Sequence, residues 1–313
     1  MFRGLTVYQL TQAIDAVLKR LDAALESKPF APCSDKQAIS RGFVKPLGED
    51  TATITWSTNG GTLFCLRTDE KKIPASAVRE RVEAIRKQKE ADGAEFNKTD
   101  ERIAKEEITE GFLPHMPAAT SLTYAYIDRE LGMLFVGASE AGADDFVAAM
   151  KGALAGTPFQ LLGIEDDPCD KFTAWVKDST LLGDCFSLGT TGAIKHPGQE
   201  GGCGIINLKF EDMNCPEILS LIEAGREVCS VSLVHEDMDF RLTSSLGIRS
   251  ISLGEDLKAD TYDEEAGRPT TPNEFAAFVP AMRDVMRALE PLLGGWPKQE
   301  VLDLEDTQEG AAA

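Results

Sequence analysis

Apolar and polar residues alternate from Leu5 through Val7 to Leu10, the period of a strand with one buried face. The period then lengthens. Ile14, Val17, Leu18, Leu21 and Leu25 recur at three- and four-residue steps, which predicts an amphipathic helix capped at Thr11. Segments 51–56 and 62–67 are strand-like again and flank Ser57-Thr58-Asn59-Gly60-Gly61. Asn-Gly readily takes the positive φ angles of a tight turn, so a β-hairpin is predicted there. Antiparallel pairing follows and favours an α+β fold over a doubly wound parallel sheet. Residues 74–112 change character, being rich in Glu, Lys, Arg and Ala. Val78, Val82 and Ile85 give a first helix a narrow apolar stripe, and Asp92-Gly93 and Asn97-Lys98-Thr99 separate it from a second helix around Ile103 and Ile108. A pair with so little to bury is expected to project from the body as a finger.

Strands return at 120–127 and 132–137, followed by a helix over 141–154 and a strand over 159–164. A short helix around 172–176 precedes the most glycine-rich stretch, from Gly189-Thr190-Thr191-Gly192 to Gly201-Gly202-Cys203-Gly204, which reads as a loop. A strand then ends near Leu208-Lys209, and Asn214 is expected to cap a helix with Ile218, Leu221 and Ile222 inward. Further strands cover 228–234, 240–246 and 248–253. Phe275, Phe278, Met282, Val285, Met286 and Leu289 mark a long amphipathic helix ending at Gly294-Gly295, and the acidic tail from Glu300 onward is expected to be disordered. These elements divide the chain into an N-terminal α+β unit (1–70), a helical finger (71–115), a second α+β unit (116–190) and a C-terminal α+β unit with the tail (191–313).

With 313 residues and 42% hydrophobic content, the chain can bury one large core or two modest ones. No apolar run approaches the roughly 18 residues of a membrane span. The N-terminus lacks the apolar region of a signal peptide, so a cytoplasmic location without membrane contact is expected. Seven cysteines, odd in number, scattered and without a CxxC pair, are expected to be mostly buried and reduced. His115, His196 and His235 lie far apart in no metal-binding spacing, so neither metal nor cofactor is implied. The formal net charge of -20 is unevenly spread: residues 1–65 carry +1, 66–110 carry -1, 111–208 carry -7 and 209–313 carry -13. Contact with a polyanion should therefore draw on the first 110 residues.

Several short strings stand in a recognisable order: Leu5-Thr6-Val7-Tyr8-Gln9-Leu10, Phe30-Ala31-Pro32-Cys33, Gly42-Phe43-Val44-Lys45-Pro46-Leu47-Gly48, Lys71-Lys72-Ile73-Pro74, Phe112-Leu113-Pro114 and Ile127-Asp128. Further on come Glu217-Ile218, Ile222-Glu223-Ala224-Gly225 and Leu293-Gly294-Gly295. In this series the chain resembles the RdgC family of recombination-associated proteins, well over residues 1–160 and in patches beyond. The resemblance implies a non-enzymatic, nucleoid-associated protein of the cytoplasm. It would bind double-stranded DNA, and single-stranded DNA as well, without marked sequence preference. It would form a homodimeric ring around the DNA and restrain the RecA recombinase, with RecA itself a candidate partner. Two positions depart from the family pattern. His115-Met116-Pro117 stands where relatives can place Arg-x-Phe, and Lys209-Phe210-Glu211-Asp212 keeps one cation in a segment that is otherwise basic and polar.

Non-specific DNA binding needs Lys and Arg aimed at phosphates, because counterion release supplies the affinity. The candidates are Lys71, Lys72, Arg79, Arg81, Arg86, Lys87, Lys89, Lys98, Arg102 and Lys105, with Lys209 added from the later segment. A solvated salt-bridge face competes with this reading, since Glu83 precedes Lys87 by four and Glu101 precedes Lys105 by four. A ring could hold DNA by enclosure with few phosphate contacts, which reconciles binding with an acidic chain. The alternative is an acidic interaction protein on the same fold, a DNA mimic or recombinase binder. Glu165-Asp166-Asp167 with Asp170 could serve a metal-dependent nuclease in principle, yet they match no nuclease spacing and read as a solvated loop before a helix. Gly189-Thr190-Thr191-Gly192-Ala193-Ile194-Lys195 lacks the spacing of a phosphate loop, and no nucleophile and base pair is signalled, so no catalytic residue is assigned.

Overall fold

The computed structural model describes residues 1–297 apart from 50, 152, 155–158, 198–203, 210, 211 and 237. Strand β1 (Gly4–Leu10) leads into helix α1 (Ile14–Glu26), then come β2 (Ile39–Val44), β3 (Trp56–Thr58) and β4 (Gly61–Lys71). Helices α2 (Ala75–Ala91) and α3 (Lys98–Phe112) follow, and β5 (Ala118–Asp128), β6 (Met133–Val136), α4 (Glu140–Lys151) and β7 (Phe159–Leu161) complete the first half. The second half runs through α5 (Pro168–Lys177), β8 (Ser187–Lys195), β9 (Ile206–Lys209), α6 (Pro216–Glu223), β10 (Glu227–His235), β11 (Met238–Thr243) and β12 (Ile248–Leu253). It ends with α7 (Glu255–Asp260), the short pair β13 (Tyr262–Asp263) and β14 (Arg268–Pro269), and α8 (Thr271–Leu292).

Twelve strands join in one sheet of order β2-β4-β5-β6-β1-β12-β11-β10-β8-β9, with β3 on β4 and β7 on β1. Every pairing between these strands is antiparallel, as the hairpin signal predicted. Strand β1 is the junction of the two halves: Gly4 and Leu5 pair with β12, while Thr6 to Gln9 pair with β6. The alternation of its side chains explains why the strand is apolar on both faces. Leu5 and Val7 join the cluster that holds Leu63, Tyr126, Phe135 and the inner face of α8, whereas Tyr8 and Leu10 join the cluster under α1 and α4.

Helix α8 is tied to that sheet by a buried ion pair. Arg283 Nε donates to Asp128 Oδ2 at 2.9 Å, its Nη2 donates to the Asn59 carbonyl at 2.6 Å, and Glu130 lies 2.7 Å from its Nη1. Asp128 Oδ1 meanwhile accepts from the backbone N–H groups of Glu130 and Leu131. One guanidinium thus locks the β3–β4 turn, the β5–β6 turn and the helix together.

Several local expectations need correction. The hairpin's first strand begins at Trp56, not at residue 51, and its turn is the two-residue Asn59-Gly60, with φ 48° and 78°. Helix α1 starts behind Ala13, not Thr11, and α6 starts behind Cys215, not Asn214; neither first residue offers a capping side chain. In α3 the inward residue beside Ile108 is Ala104, while Ile103 is 43% exposed. Gly189-Thr190-Thr191-Gly192 is not a loop but the middle of β8. A Cβ on Gly192 would stand 2.8 Å from the Ser230 carbonyl oxygen and 2.5 Å from Met213 Cε, so glycine here marks close packing within the sheet. Of the six described cysteines, all free, only Cys65 and Cys169 are buried. The calls on Cys203, on Phe210 and Glu211, and on the acidic tail lie outside the described residues.

Candidate nucleic-acid interface

Helices α2 and α3 carry ten-odd charges per face yet pack on each other around a small cluster of their own. Val82, Ala104 and Ile108 form it, with Val78, Ile85, Phe96 and Phe112 half-buried around them, separate from both clusters of the body. The turn between the helices is built from its sequence: Gly93 takes φ 77°, and Asn97 caps α3 by accepting from the N–H groups of Thr99 and Asp100. Asp100 returns a carboxylate to the Asn97 N–H at 3.1 Å, completing a capping box, and this bond together with Lys89 holds its carboxyl below the usual range.

The predicted cations fall into three groups. Arg86, Lys89, Arg102 and Lys105 are spent on acids: Arg86 lies between Glu83 and Glu90, Lys89 is 3.1 Å from Asp100, Arg102 is 2.8 Å from Glu106 and Lys105 is 2.6 Å from Glu101. The expected Glu101–Lys105 pair therefore forms, while Glu83 turns to Arg86 and leaves Lys87. Arg81 stacks over Phe112 at 4.2 Å from the ring centre, and Lys72, exposed, is 3.5 Å from Glu70. Arg79, Lys87, Lys98 and, apart from the pair on β9, Lys209 are exposed and make no ion pair among the described residues. Lys71 is different again: it is buried, and its Nζ donates to the Ser34 carbonyl at 2.9 Å.

That contact belongs to a strap that sequence reading did not foresee. Residues 28–34, which include Phe30-Ala31-Pro32-Cys33, cross the sheet where β2 and β4 run toward the helical pair. Gly42 lets them pass, since a Cβ there would lie 2.2 Å from Phe30 Cα. Phe43 exchanges backbone bonds with Lys28 and Phe30, Cys33 Sγ donates to the Asp69 carbonyl, and Ser40 Oγ donates to the Ala31 carbonyl. The Arg67 guanidinium sits 4.2 Å above the Phe30 ring centre and donates twice to Asp69, at 2.9 and 3.1 Å. Thr120 on β5 adds a 2.8 Å bond to the same carboxylate. These bonds, Arg67 foremost, hold the Asp69 carboxyl below its ordinary range although burial opposes them. The strings that carried the family resemblance thus brace the strands from which α2 and α3 spring.

The acidic loop gives no convergent donor set. Asp166 pairs with Lys171 at 2.7 Å, Asp167 caps α5 through the Cys169 N–H, and Asp170 lies within the helix. Among the described residues no three His, Cys, Asp or Glu side chains gather in metal-binding geometry. His115 is exposed at the end of a short turn, Leu113–His115. Among the same residues no helix is long and apolar enough to cross a membrane.

Fold and surface define a mixed α/β protein built on antiparallel sheet, with eight α-helices among the described residues and a charged helical pair inserted between two of its strands. The chain belongs to the RdgC family: residues 1–296 match the family model described as "Putative exonuclease, RdgC". It is similar to the recombination-associated protein RdgC of Aeromonas hydrophila, at 28% identity over 302 residues covering 94% of this chain and 98% of that protein. Similarity to the RdgC protein of Shewanella loihica is also 28%, over 299 residues and the same shares. For the RdgC protein of Salmonella paratyphi B it is 28% over 265 residues, covering 84% of this chain and 86% of the relative. The resemblance drawn from the opening strings is borne out.

Proposed function

We propose that this chain is a recombination-associated, non-enzymatic DNA-binding protein that acts as a homodimeric ring around duplex DNA and restrains RecA. Family membership over residues 1–296 is the observation that carries the reading. The helical pair, as a projecting finger, supplies the cations left without an acid, Arg79, Lys87 and Lys98, and enclosure compensates for their small number. Affinity for duplex DNA then rests on a few phosphate contacts and falls steeply with salt, with little dependence on sequence. A salt titration of duplex binding, paired with a mass measurement of the oligomer, tests it: a dimer that binds no duplex at low salt removes the DNA half of the reading.

One observation favours a second reading, an acidic interaction protein on the same scaffold. Four of the finger's cations, Arg86, Lys89, Arg102 and Lys105, are neutralised within the helical pair. A protein of this kind would displace DNA from a RecA-type recombinase without binding DNA itself, which a competition assay separates from the first. The exonuclease named in the family description is addressed by a magnesium-dependent cleavage assay with Asp166→Asn and Asp167→Asn variants; cleavage lost in both would establish an enzyme.

A further inference from the structure

The loop that continues β2, from Lys45 to Glu49, stands opposite β14 and the first turn of α8, and a groove of about 560 Å³ runs between them. Its floor is sheet: Arg67 and Leu122 are cross-strand partners on β4 and β5, and Tyr124 follows Leu122 on the same face. Leu122 is 49% exposed, one of few large apolar side chains left open on the surface. Three separate segments bring a cation to the groove, Lys45, Arg67 and Arg268, in a chain whose net charge is -20.

The acids nearby are largely engaged elsewhere. Asp69 is held by Arg67, and Glu274 is 3.0 Å from the Met1 ammonium, leaving Glu49 as the carboxylate on the described lining. Lys45 uses one donor on the Glu49 carbonyl at 3.0 Å and keeps two, while Arg268 has no ion pair among the described residues. Thr270 and Thr271 at the start of α8 add backbone N–H groups that no side chain caps.

The groove therefore joins an anion-binding rim to an apolar, partly aromatic floor. A duplex would offer it phosphates but keep its bases stacked away from the floor. An unstacked nucleotide offers both parts at once. We propose that this groove, formed by Lys45, Arg268, Leu122 and Tyr124, holds a nucleotide unit of single-stranded DNA, phosphate on the cations and base on the floor. The assignment rests on the DNA-binding reading above and adds a second contact surface, on the body of the protein and apart from the helical pair.

Fluorescence anisotropy with labelled oligo(dT) and with a duplex of equal length, across a salt series on the full chain, tests it. The Lys45→Ala/Arg268→Ala double variant should flatten the salt dependence of oligo(dT) binding by about 1.4 in slope, about 0.7 for each lost phosphate contact, and leave duplex binding unchanged. Tyr124→Leu, which keeps apolar bulk in the core, should weaken oligo(dT) binding about fivefold or more through lost stacking. Unaltered oligo(dT) binding in both variants, with duplex binding intact, overturns the groove and spares the DNA reading. Equal losses for both DNA forms overturn the single-strand assignment. A wild-type chain that binds neither form overturns both inferences together.

Discussion

Arg283 shows how much one buried side chain can carry. Its guanidinium bridges Asp128, Glu130 and the Asn59 carbonyl beneath α8, with Asp128 fully buried. Arg283→Ala should leave that carboxylate without its partner and lower stability by about 3–5 kcal/mol in urea denaturation. Pairing Asp128→Asn with Arg283→Met should restore most of the loss, because the amide keeps the acceptor for the Glu130 and Leu131 N–H groups. Asp69 makes a pH-dependent contribution of the opposite visibility, small at neutrality and exposed by acid. Its folded-state carboxyl is depressed by Arg67, so the stability it adds is present above the unfolded value near 3.9 and is lost as pH falls through the lower folded value. Urea midpoints measured from about pH 5 downward should fall more steeply for wild type than for Asp69→Asn. Equal slopes would remove Asp69 from the acid response.

Elements with a strong period were legible: α1, α8, β10 and β12 fall where their apolar residues recur. The helical pair was legible too, down to the Gly93 and Asn97 breaks, because a narrow stripe of Val78, Val82 and Ile85 admits only a shallow contact. Asn97→Ala should remove the capping box and cost about 1 kcal/mol, read as faster amide exchange in the first turn of α3 with the body unaffected. Loss of exchange protection throughout the sheet would mean that the pair is not an independent unit. What misled was glycine. In β8, Gly189 and Gly192 imitate a loop, yet they are small because Ser232, Ser230 and Met213 crowd the strand from neighbouring elements. Gly42 has the same cause, and its crowding neighbour, Phe30, lies twelve residues away on a strap with no period of its own.

For the whole molecule the acidic balance and the DNA reading meet on a small set of free cations. Replacing Arg79, Lys87 and Lys98 together by Ala should make the salt dependence of duplex binding shallower by about 2.7, about 0.9 for each phosphate contact. The same replacement at Arg86, Arg102 and Lys105 should change the slope little, since those charges are already paired; a larger effect there would reverse the assignment. Local sequence determined the strand and helix periods, the Asn59-Gly60 turn, the family and the cation-rich segment, because each depends on residues close together in the chain. Tertiary structure alone decided which cations are free, that Lys71 faces Ser34, that β1 joins two halves of one sheet, and that Lys45 and Arg268 share a groove. Those outcomes depend on which distant backbones approach each other, and no spacing along the chain encodes that distance.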